Sequence, residues 1–529
     1  MDRFPRSLTE IADRLGRAAP PGGAGDVRVT GVSLSSRSVR PGDLYVALPG
    51  SRAHGASYTA QALAAGAVAV LTDPAGGALV PAAPGGVPVL VVDRPRAVLG
   101  GLAAWLYGDP GTHLATFGVT GTNGKTTTTF LLDSALRRLG RVTGLIGTIE
   151  IRVGDERVVS TGTTPEAPDL HALLAVMREH GVGTVSMEIS SHALDQHRVD
   201  GLVVDVAGFT NLSQDHLDYH HTLEAYFEAK AALFTQQHAR RGVVCVDDAW
   251  GRRLAATATV PVTTVATSPP PPGGAPADWQ VVARRPAPGG RTAVDVDGPA
   301  GRLALTRPLP GDFNIANTLL ALAMLAAADP HADVVAAAGA LAAADPVPGR
   351  MEPVTGAGRP GEPVAIVDYA HSPDAVEVAL TALAGQGRPL VVVLGAGGER
   401  DTGKRPRMGA AAARHADVVV VTDDNPRSED PAAIRAAVLV GAVEEARRSG
   451  AVVVEVPGRR EAVAEGVRRA WQGGVVLVAG KGHEQGQDVA GVVQPFDDRV
   501  VLHEALCHEA VGTVPARPER THTQKEIPR

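Results

Sequence analysis

Aromatic side chains are scarce in this chain, Phe, Tyr and Trp together making up 3% of its residues. Cores built without them must be filled by Ala, Val and Leu. Cysteine is nearly absent. Cys245 and Cys507 stand far apart and are the only two, which excludes a disulfide framework or a cysteine zinc site and fits a reducing compartment. Positive charge is not in excess, since the formal net charge is −7. That argues against nucleic-acid binding through a basic surface and leaves room for small anionic substrates in local pockets. Long apolar runs are missing as well. The most apolar stretch, residues 315–328, is interrupted by Asn317 and Thr318 and is too short to span a bilayer. The first 20 residues carry Asp2, Glu10 and Asp13 and no apolar signal core. A cytoplasmic protein without membrane insertion is expected.

What the chain does contain is length and punctuation. Its 529 residues predict about three domains. Tyr107-Gly-Asp-Pro-Gly111 closes a first region and Pro346-Val-Pro-Gly349 opens a last one. The expected divisions are 1–111, 112–347 and 348–510, followed by a polar, disordered tail at 511–529. Residues 73–88 and the proline-rich 268–276 read as loops. Elsewhere β-branched runs alternate with Ala/Leu-rich helical patterns, which predicts an α/β fold with mostly parallel sheets.

Six polar clusters each follow directly on an apolar, strand-like run. The runs are 116–119, 184–187, 364–367, 390–394, 418–422 and 475–479. Ligands bind beyond the carboxyl ends of strands in such sheets. One polar loop after a strand means little, but six point to a site.

The first of these is Thr120-Gly-Thr-Asn-Gly-Lys-Thr-Thr127, set between a strand and a helix expected to reach residue 139. Gly121 and Gly124 let backbone N–H groups close on phosphate oxygens, and the helix N-terminus favours the anion, so Thr122, Asn123 and Thr127 are counted with them as ATP-binding. Lys125 can reach terminal phosphates, and the Thr126 hydroxyl can ligate magnesium. The usual pattern has a glycine at position 119, where this chain has Val.

With this loop stand Met187-Glu-Ile-Ser-Ser-His192, Gln196-His-Arg198, Asn211-Leu-Ser-Gln-Asp-His-Leu-Asp-Tyr-His220 and Glu228-Ala-Lys230. Gly311-Asp-Phe-Asn314, Pro348-Gly-Arg-Met-Glu352, Asp368-Tyr-Ala-His-Ser-Pro373, Asp424-Asn-Pro-Arg427 and Gly480-Lys-Gly-His-Glu484 follow. In order and spacing, over residues 31–498, the set resembles the Mur ligases, most closely the branch that adds diaminopimelate to UDP-MurNAc-L-Ala-D-Glu. The resemblance implies a small N-terminal α/β UDP-binding domain, a central P-loop-type ATPase domain and a C-terminal Rossmann-like domain. It implies a cytoplasmic, monomeric enzyme of peptidoglycan synthesis that forms an amide through an acyl phosphate, at the expense of ATP.

Residue by residue, the resemblance assigns Thr126 and Glu188 to one magnesium ion. Glu188, His216 and a carbamate formed from CO2 on Lys230 would hold a second. Lys125, Glu188, His216 and Lys230 would be catalytic, and Asn314, Arg350 and Asp368 would contact ATP. Leu34, Ser36, Ser51, Thr163, Thr164, Ser190, Gln196 and Arg198 would grip the UDP-muramoyl dipeptide. Arg400, Asp424, Asn425, Pro426, Arg427, Gly480 and Glu484 would bind diaminopimelate. The chain has Ser35-Ser36-Arg37 where the family often has Asp-Ser-Arg, so the resemblance carries over the domain's role but not the detailed uridine contacts.

Blander readings compete at three of these positions. Lys230 alone would be a surface lysine. His216, His220 and His221 have a spacing compatible with zinc, but Asp215 and Asp218 make the surroundings hard and anionic, so His216 is assigned to magnesium and the other two to a helix start or the surface. Arg427 alone would be a solvated turn residue. The rival functions are the same reaction with lysine or another amino acid, another Mur or folylpolyglutamate-type ligase, a P-loop switch or motor NTPase, and a noncatalytic UDP-sugar binder.

Overall fold

The computed structural model describes residues 4–18, 24–50, 52–80, 86–160, 162–287, 291–307, 311, 313–399 and 401–509. Ser51, Arg400 and the tail 511–529 lie outside them. The chain separates into two compact units. One takes in Met1–Arg284, Val294–Leu305 and Ala316–Ala344, and the other Arg285–Ala293, Thr306–Ile315 and the chain from Asp345 onward.

The first unit opens with a parallel four-stranded sheet in the order Gly31–Ser33, Asp43–Ala47, Ala69–Thr72, Val89–Val91. Helix Pro95–Leu106, started by proline at its first turn, lays Leu99, Leu102 and Leu106 against Leu44, Val46 and Leu71. Ala167 and Ala175 of helix Ala167–Glu179 share this core, so the small sheet is packed onto the next layer. The backbones meet at Gly100, where a Cβ would come within 2.3 Å of the Asp200 carbonyl oxygen.

One expectation fails here. Residues 73–88 are not all loop, because Pro74–Leu79 is a helix. Asp73 caps it by accepting from the Gly76 N–H at 2.7 Å, and Pro74 occupies its first turn. These start signals outweigh the helix-weakening Gly76-Gly77 pair.

The next layer is an eleven-stranded sheet whose parallel centre runs Thr143–Ile146, Thr184–Glu188, Ala115–Thr120, Val204–Phe209, Ala239–Cys245 and Val262–Ala266. Val119 pairs with Glu188 and Thr120 with Phe209. Three neighbouring strands therefore end at one level, and their following loops emerge along one edge.

The second unit holds a six-stranded sheet in the order Glu352–Val354, Val364–Asp368, Val475–Ala479, Leu390–Leu394, Val418–Val421, Val452–Glu455. All pairs are parallel except the first. Val392, Leu394, Val419, Val421 and Leu477 enter one core, while Val391, Val393, Val420, Val476 and Val478 enter another. Alternate side chains thus feed two buried faces, which is why these strands are unbroken apolar runs. Asp368 and Leu394 both register with Ala479, so here too the functional loops share an edge.

Candidate active site

The phosphate loop leaves strand Ala115–Thr120 and enters helix Lys125–Arg138. Gly121 has φ 144 and Gly124 φ 90. A Cβ on Gly121 would lie 1.8 Å from Thr210 Oγ, and one on Gly124 2.4 Å from Asn317 Oδ1, so glycine is required by both backbone and space. A second loop holds the first in shape. Thr210 Oγ1 donates to the Asn123 carbonyl at 2.6 Å, the Asn123 N–H donates to Asn211 Oδ1 at 3.0 Å, and the Thr122 N–H donates to the Asn211 carbonyl at 2.9 Å. Lys125 Nζ reaches back over the loop to the carbonyls of Gly121 (3.0 Å) and Thr122 (2.9 Å). Thr127 is buried behind it.

Thr126 Oγ1 donates to Glu188 Oε2 at 2.8 Å. Glu188 is 1% exposed. Its Oε1 accepts from the Thr148 N–H at 2.8 Å, and its Oε2 lies 3.2 Å from Thr148 Oγ1. The residues expected to grip the dipeptide continue this network. Thr148 Oγ1 is 3.0 Å from Thr163 Oγ1, Thr164 Oγ1 donates to the Glu188 carbonyl at 2.9 Å, and the Ser190 N–H donates to Thr164 Oγ1 at 3.1 Å. Arg198 donates to the Thr164 carbonyl at 3.2 Å and to Gln196 Oε1 at 2.7 Å.

Lys230 is not a surface lysine. It lies on helix Leu223–Ala231 and is 1% exposed. Its Nζ donates to the Gly121 carbonyl at 2.7 Å and stands 4.3 Å from the Tyr226 ring centre. Burial, reinforced by repulsion from Lys125, holds its pKa well below the usual lysine value, with Asp215 opposing.

His216 has its ring centre 4.9 Å from that of His192. Although its side chain is nearly half open to solvent, partial desolvation lowers its pKa, Asp215 opposing and the charges of His192, Lys125 and Lys230 adding to the effect. His220 departs from expectation, being buried with Nε2 2.9 Å from Ser191 Oγ. It is drawn inward by the ring cluster of His192, Tyr219 and Tyr226. His221 is exposed. Among the described residues no three His, Cys, Asp or Glu side chains form a metal-holding group.

In the turn that follows strand Gly31–Ser33, Ser36 Oγ donates to Gln61 Oε1 at 3.0 Å and Leu34 packs on the core, so both are engaged internally. Asn314, on helix Phe313–Ala328, is buried.

In the second unit Arg350 lies 4.5 Å over the Tyr369 ring, and Asp368 accepts from the N–H groups of Met351 (2.7 Å) and Ala370 (2.9 Å). Asn425 Nδ2 donates to Glu484 Oε2 at 2.7 Å. Arg427, at φ 52, donates from its guanidinium to the Gly398 carbonyl, and its own N–H donates to the Asp488 carbonyl at 3.0 Å. Pro426 lies between these two. Asp424 is buried, its carbonyl accepts from Gln487 Nε2 at 2.6 Å, and its carboxylate leaves no room for a side chain at Gly480, where a Cβ would sit 2.4 Å from Oδ2.

Sequence reasoning missed Thr148, Asn317 and Lys481, and did not single out Thr210 or Asn211. Lys481 and Asn211 stood inside motifs already marked, with no role given to either. The others act across long sequence separations that no local pattern reports.

Three family matches cover this frame. Residues 28–107 match the Mur ligase family, catalytic domain, residues 119–325 the Mur ligase middle domain, and residues 349–482 the Mur ligase, glutamate ligase domain. A Streptomyces coelicolor protein named UDP-N-acetylmuramoyl-L-alanyl-D-glutamate--2,6-diaminopimelate ligase is 54% identical over 503 residues, 94% of this chain and 96% of its own length. The chain belongs to the Mur ligase family. A Corynebacterium glutamicum protein of the same name is 44% identical to this Mur ligase, over 97% of this chain and 99% of its own. A Leifsonia xyli protein named UDP-N-acetylmuramyl-tripeptide synthetase is 48% identical, over 90% and 92%. A solved diaminopimelate ligase structure is 31% identical with a TM-score of 0.66, covering 96% of this chain and 100% of its own. The fold is thus the α/β, three-domain Mur ligase fold. No described helix is long and apolar enough to cross a membrane.

Proposed function

We propose that this Mur ligase joins 2,6-diaminopimelate to the D-glutamate of UDP-MurNAc-L-Ala-D-Glu, with ATP converted to ADP and phosphate, in the cytoplasm and as a monomer. The observation that carries the choice of amino acid is a guanidinium, Arg427, and a carboxylate, Glu484, on neighbouring loops joined through Asn425. They suit the carboxylate and the ammonium at the far end of diaminopimelate, with the guanidinium offering a bidentate fork. Arg400, Asp424, Pro426 and Gly480 belong to the same pocket in this reading. Residues 1–111 bind the UDP-muramoyl group with Leu34, Ser36 and Ser51, residues 112–347 bind ATP, and residues 348–510 bind the amino acid.

Gly121, Thr122, Asn123, Gly124, Thr126 and Thr127 cradle the phosphates, and Lys125 releases its own loop carbonyls to meet the terminal phosphate. Asn314, Arg350 and Asp368 hold the rest of the nucleotide. Thr163, Thr164, Ser190, Gln196 and Arg198 align the D-glutamate carboxylate for attack on the terminal phosphorus. The P–O bond to ADP breaks, an acyl phosphate forms, and the incoming amine displaces phosphate and loses a proton as the amide forms.

The Thr126 hydroxyl against the buried Glu188 carboxylate is a donor set of hard oxygens, which fits magnesium. Thr126 and Glu188 would hold one ion and Glu188, His216 and a carbamylated Lys230 a second. Magnesium, when bound, neutralises charge on the transferring phosphoryl group. A lysine held below its usual pKa supplies the neutral amine; its nitrogen would bond to the carbon of CO2 and give up one proton to solvent, leaving a carbamate whose negative charge fits the position.

The test is phosphate release in the presence of ATP and magnesium. It should require both the UDP-muramoyl dipeptide and diaminopimelate, and lysine should not substitute. Release without an amine acceptor would favour a switch NTPase, and equal use of lysine would overturn the amino-acid choice.

A further inference from the structure

The loops that carry Asn425 and Glu484 close over a cation that the reading above leaves unused. Lys481 is 0% exposed. A buried ammonium is costly unless it is paired. Its Nζ donates to Asn425 Oδ1 at 2.9 Å and to Glu484 Oε2 at 3.1 Å. Asn425 turns its amide nitrogen to the same Glu484 oxygen at 2.7 Å, while its own oxygen also accepts from the Asp488 N–H at 3.1 Å. Both ends of the amide are thereby assigned, and both bonds to Glu484 fall on Oε2. Among the described residues Oε1 accepts none, and about one third of the Glu484 side chain is open to solvent. The other buried cation nearby is already matched, since Arg459 meets Asp498 through two contacts of 2.7 Å.

We propose that Lys481 is a positioning residue that sets amino-acid specificity: it fixes Glu484 through Asn425 and cancels its charge, so that the pocket admits a far end carrying carboxylate and ammonium together and rejects a lone ammonium. The inference rests on the diaminopimelate reading and deepens it. Glu484 faces the pocket as half of an ion pair. An ammonium arriving alone at Oε1 gains the carboxylate but meets the charge of Lys481 and leaves the Arg427 guanidinium, bonded to the Gly398 carbonyl, without an anion to neutralise it. A zwitterionic far end adds no net charge, places its carboxylate on Arg427 and its ammonium on Oε1, and leaves every group paired. Specificity of this kind comes from what the wrong ligand leaves unsatisfied. Without the Lys481 charge, Glu484 would become a free carboxylate suited to lysine.

The experiment compares kcat/KM for diaminopimelate and for lysine in the wild type and in Lys481→Met, with KM for ATP as the control. Diaminopimelate use should fall and lysine use should rise or fall less, shrinking the preference by about tenfold or more while KM for ATP stays in place. A preference within about threefold of wild type would reduce Lys481 to a packing residue and overturn the inference. If Lys481→Met does not fold, Lys481→Gln, which keeps a donor for Asn425 without the charge, is read by the same ratio and criterion. A wild type that uses neither amino acid, or prefers lysine, is a failure of the diaminopimelate reading and is seen before any variant is made.

Discussion

A single side chain can be legible in sequence when its chemistry contradicts its local setting, and Lys230 is the case in point. On composition it is a surface lysine, and only its neighbours in the motif argue otherwise. Its burial against the Gly121 carbonyl supports the second view. Lys230→Ala is expected to lose nearly all ligase activity while keeping its melting temperature within a few degrees. Acetate or formate should restore part of the rate by refilling the anionic position, and labelled CO2 should be retained by the wild type and not by the variant. Absence of both rescue and label would remove the carbamate. Arg427→Ala should cost about 2–5 kcal/mol in kcat/KM for diaminopimelate, the range for truncating one partner of a buried charge pair. Arg427→Lys should recover little, because a point charge cannot replace the fork. Unchanged kinetics in the alanine variant would reassign the residue to the turn that its φ of 52 describes. Thr148 and Asn317 were invisible at this scale because a threonine or asparagine gains meaning only from what folds against it.

At the scale of elements, the six predicted strands were legible because parallel strands buried on both faces read as near-continuous apolar runs, which Gly118 and Ser186 only briefly interrupt. The loop partnerships were not. The phosphate loop takes its shape from residues 210–213, about ninety positions further along the chain. Thr210→Val removes the 2.6 Å bond to the Asn123 carbonyl with little change in volume. Nucleotide affinity should weaken by about five- to thirtyfold, equivalent to about 1–2 kcal/mol for one lost buried hydrogen bond. Calorimetric titration with a nonhydrolysable ATP analogue reads it, and wild-type affinity would show that the loop holds its shape alone.

Over the whole molecule, buried histidines couple stability to acid. His171 in the first unit gives its Nε2 proton to the Asp200 carbonyl at 3.0 Å, while Nδ1 is buried without a partner among the described residues. Burial lowers its pKa and that of His238. In the second unit burial, aided by Arg350, Arg499 and Lys481, lowers His483 to about 4. Unfolded histidines titrate near about 6.5. Above that value neither state binds the proton and these groups add no slope. Below it the unfolded chain takes up protons that the folded one refuses, so stability falls as pH drops from about 6.5 towards about 4. Melting temperature should therefore decline between about pH 7 and about pH 5, and less steeply in His171→Gln, which can keep the bond to Asp200 but cannot titrate. Equal slopes would remove His171 from the account.

The order of strands in the second unit bears on how the protein is made. Val475–Ala479 is the last of the parallel strands to be synthesised, yet it lies between Val364–Asp368 and Leu390–Leu394, the first two. A nascent chain that has emerged only as far as Val452–Glu455 has its opening strand bonded to nothing but the short Glu352–Val354 hairpin arm. A chain of that length has valine-rich strand edges open, which favour pairing with other chains unless chaperones cover them. A stop codon anywhere before residue 475 would cost the cell the whole unit rather than its final strand.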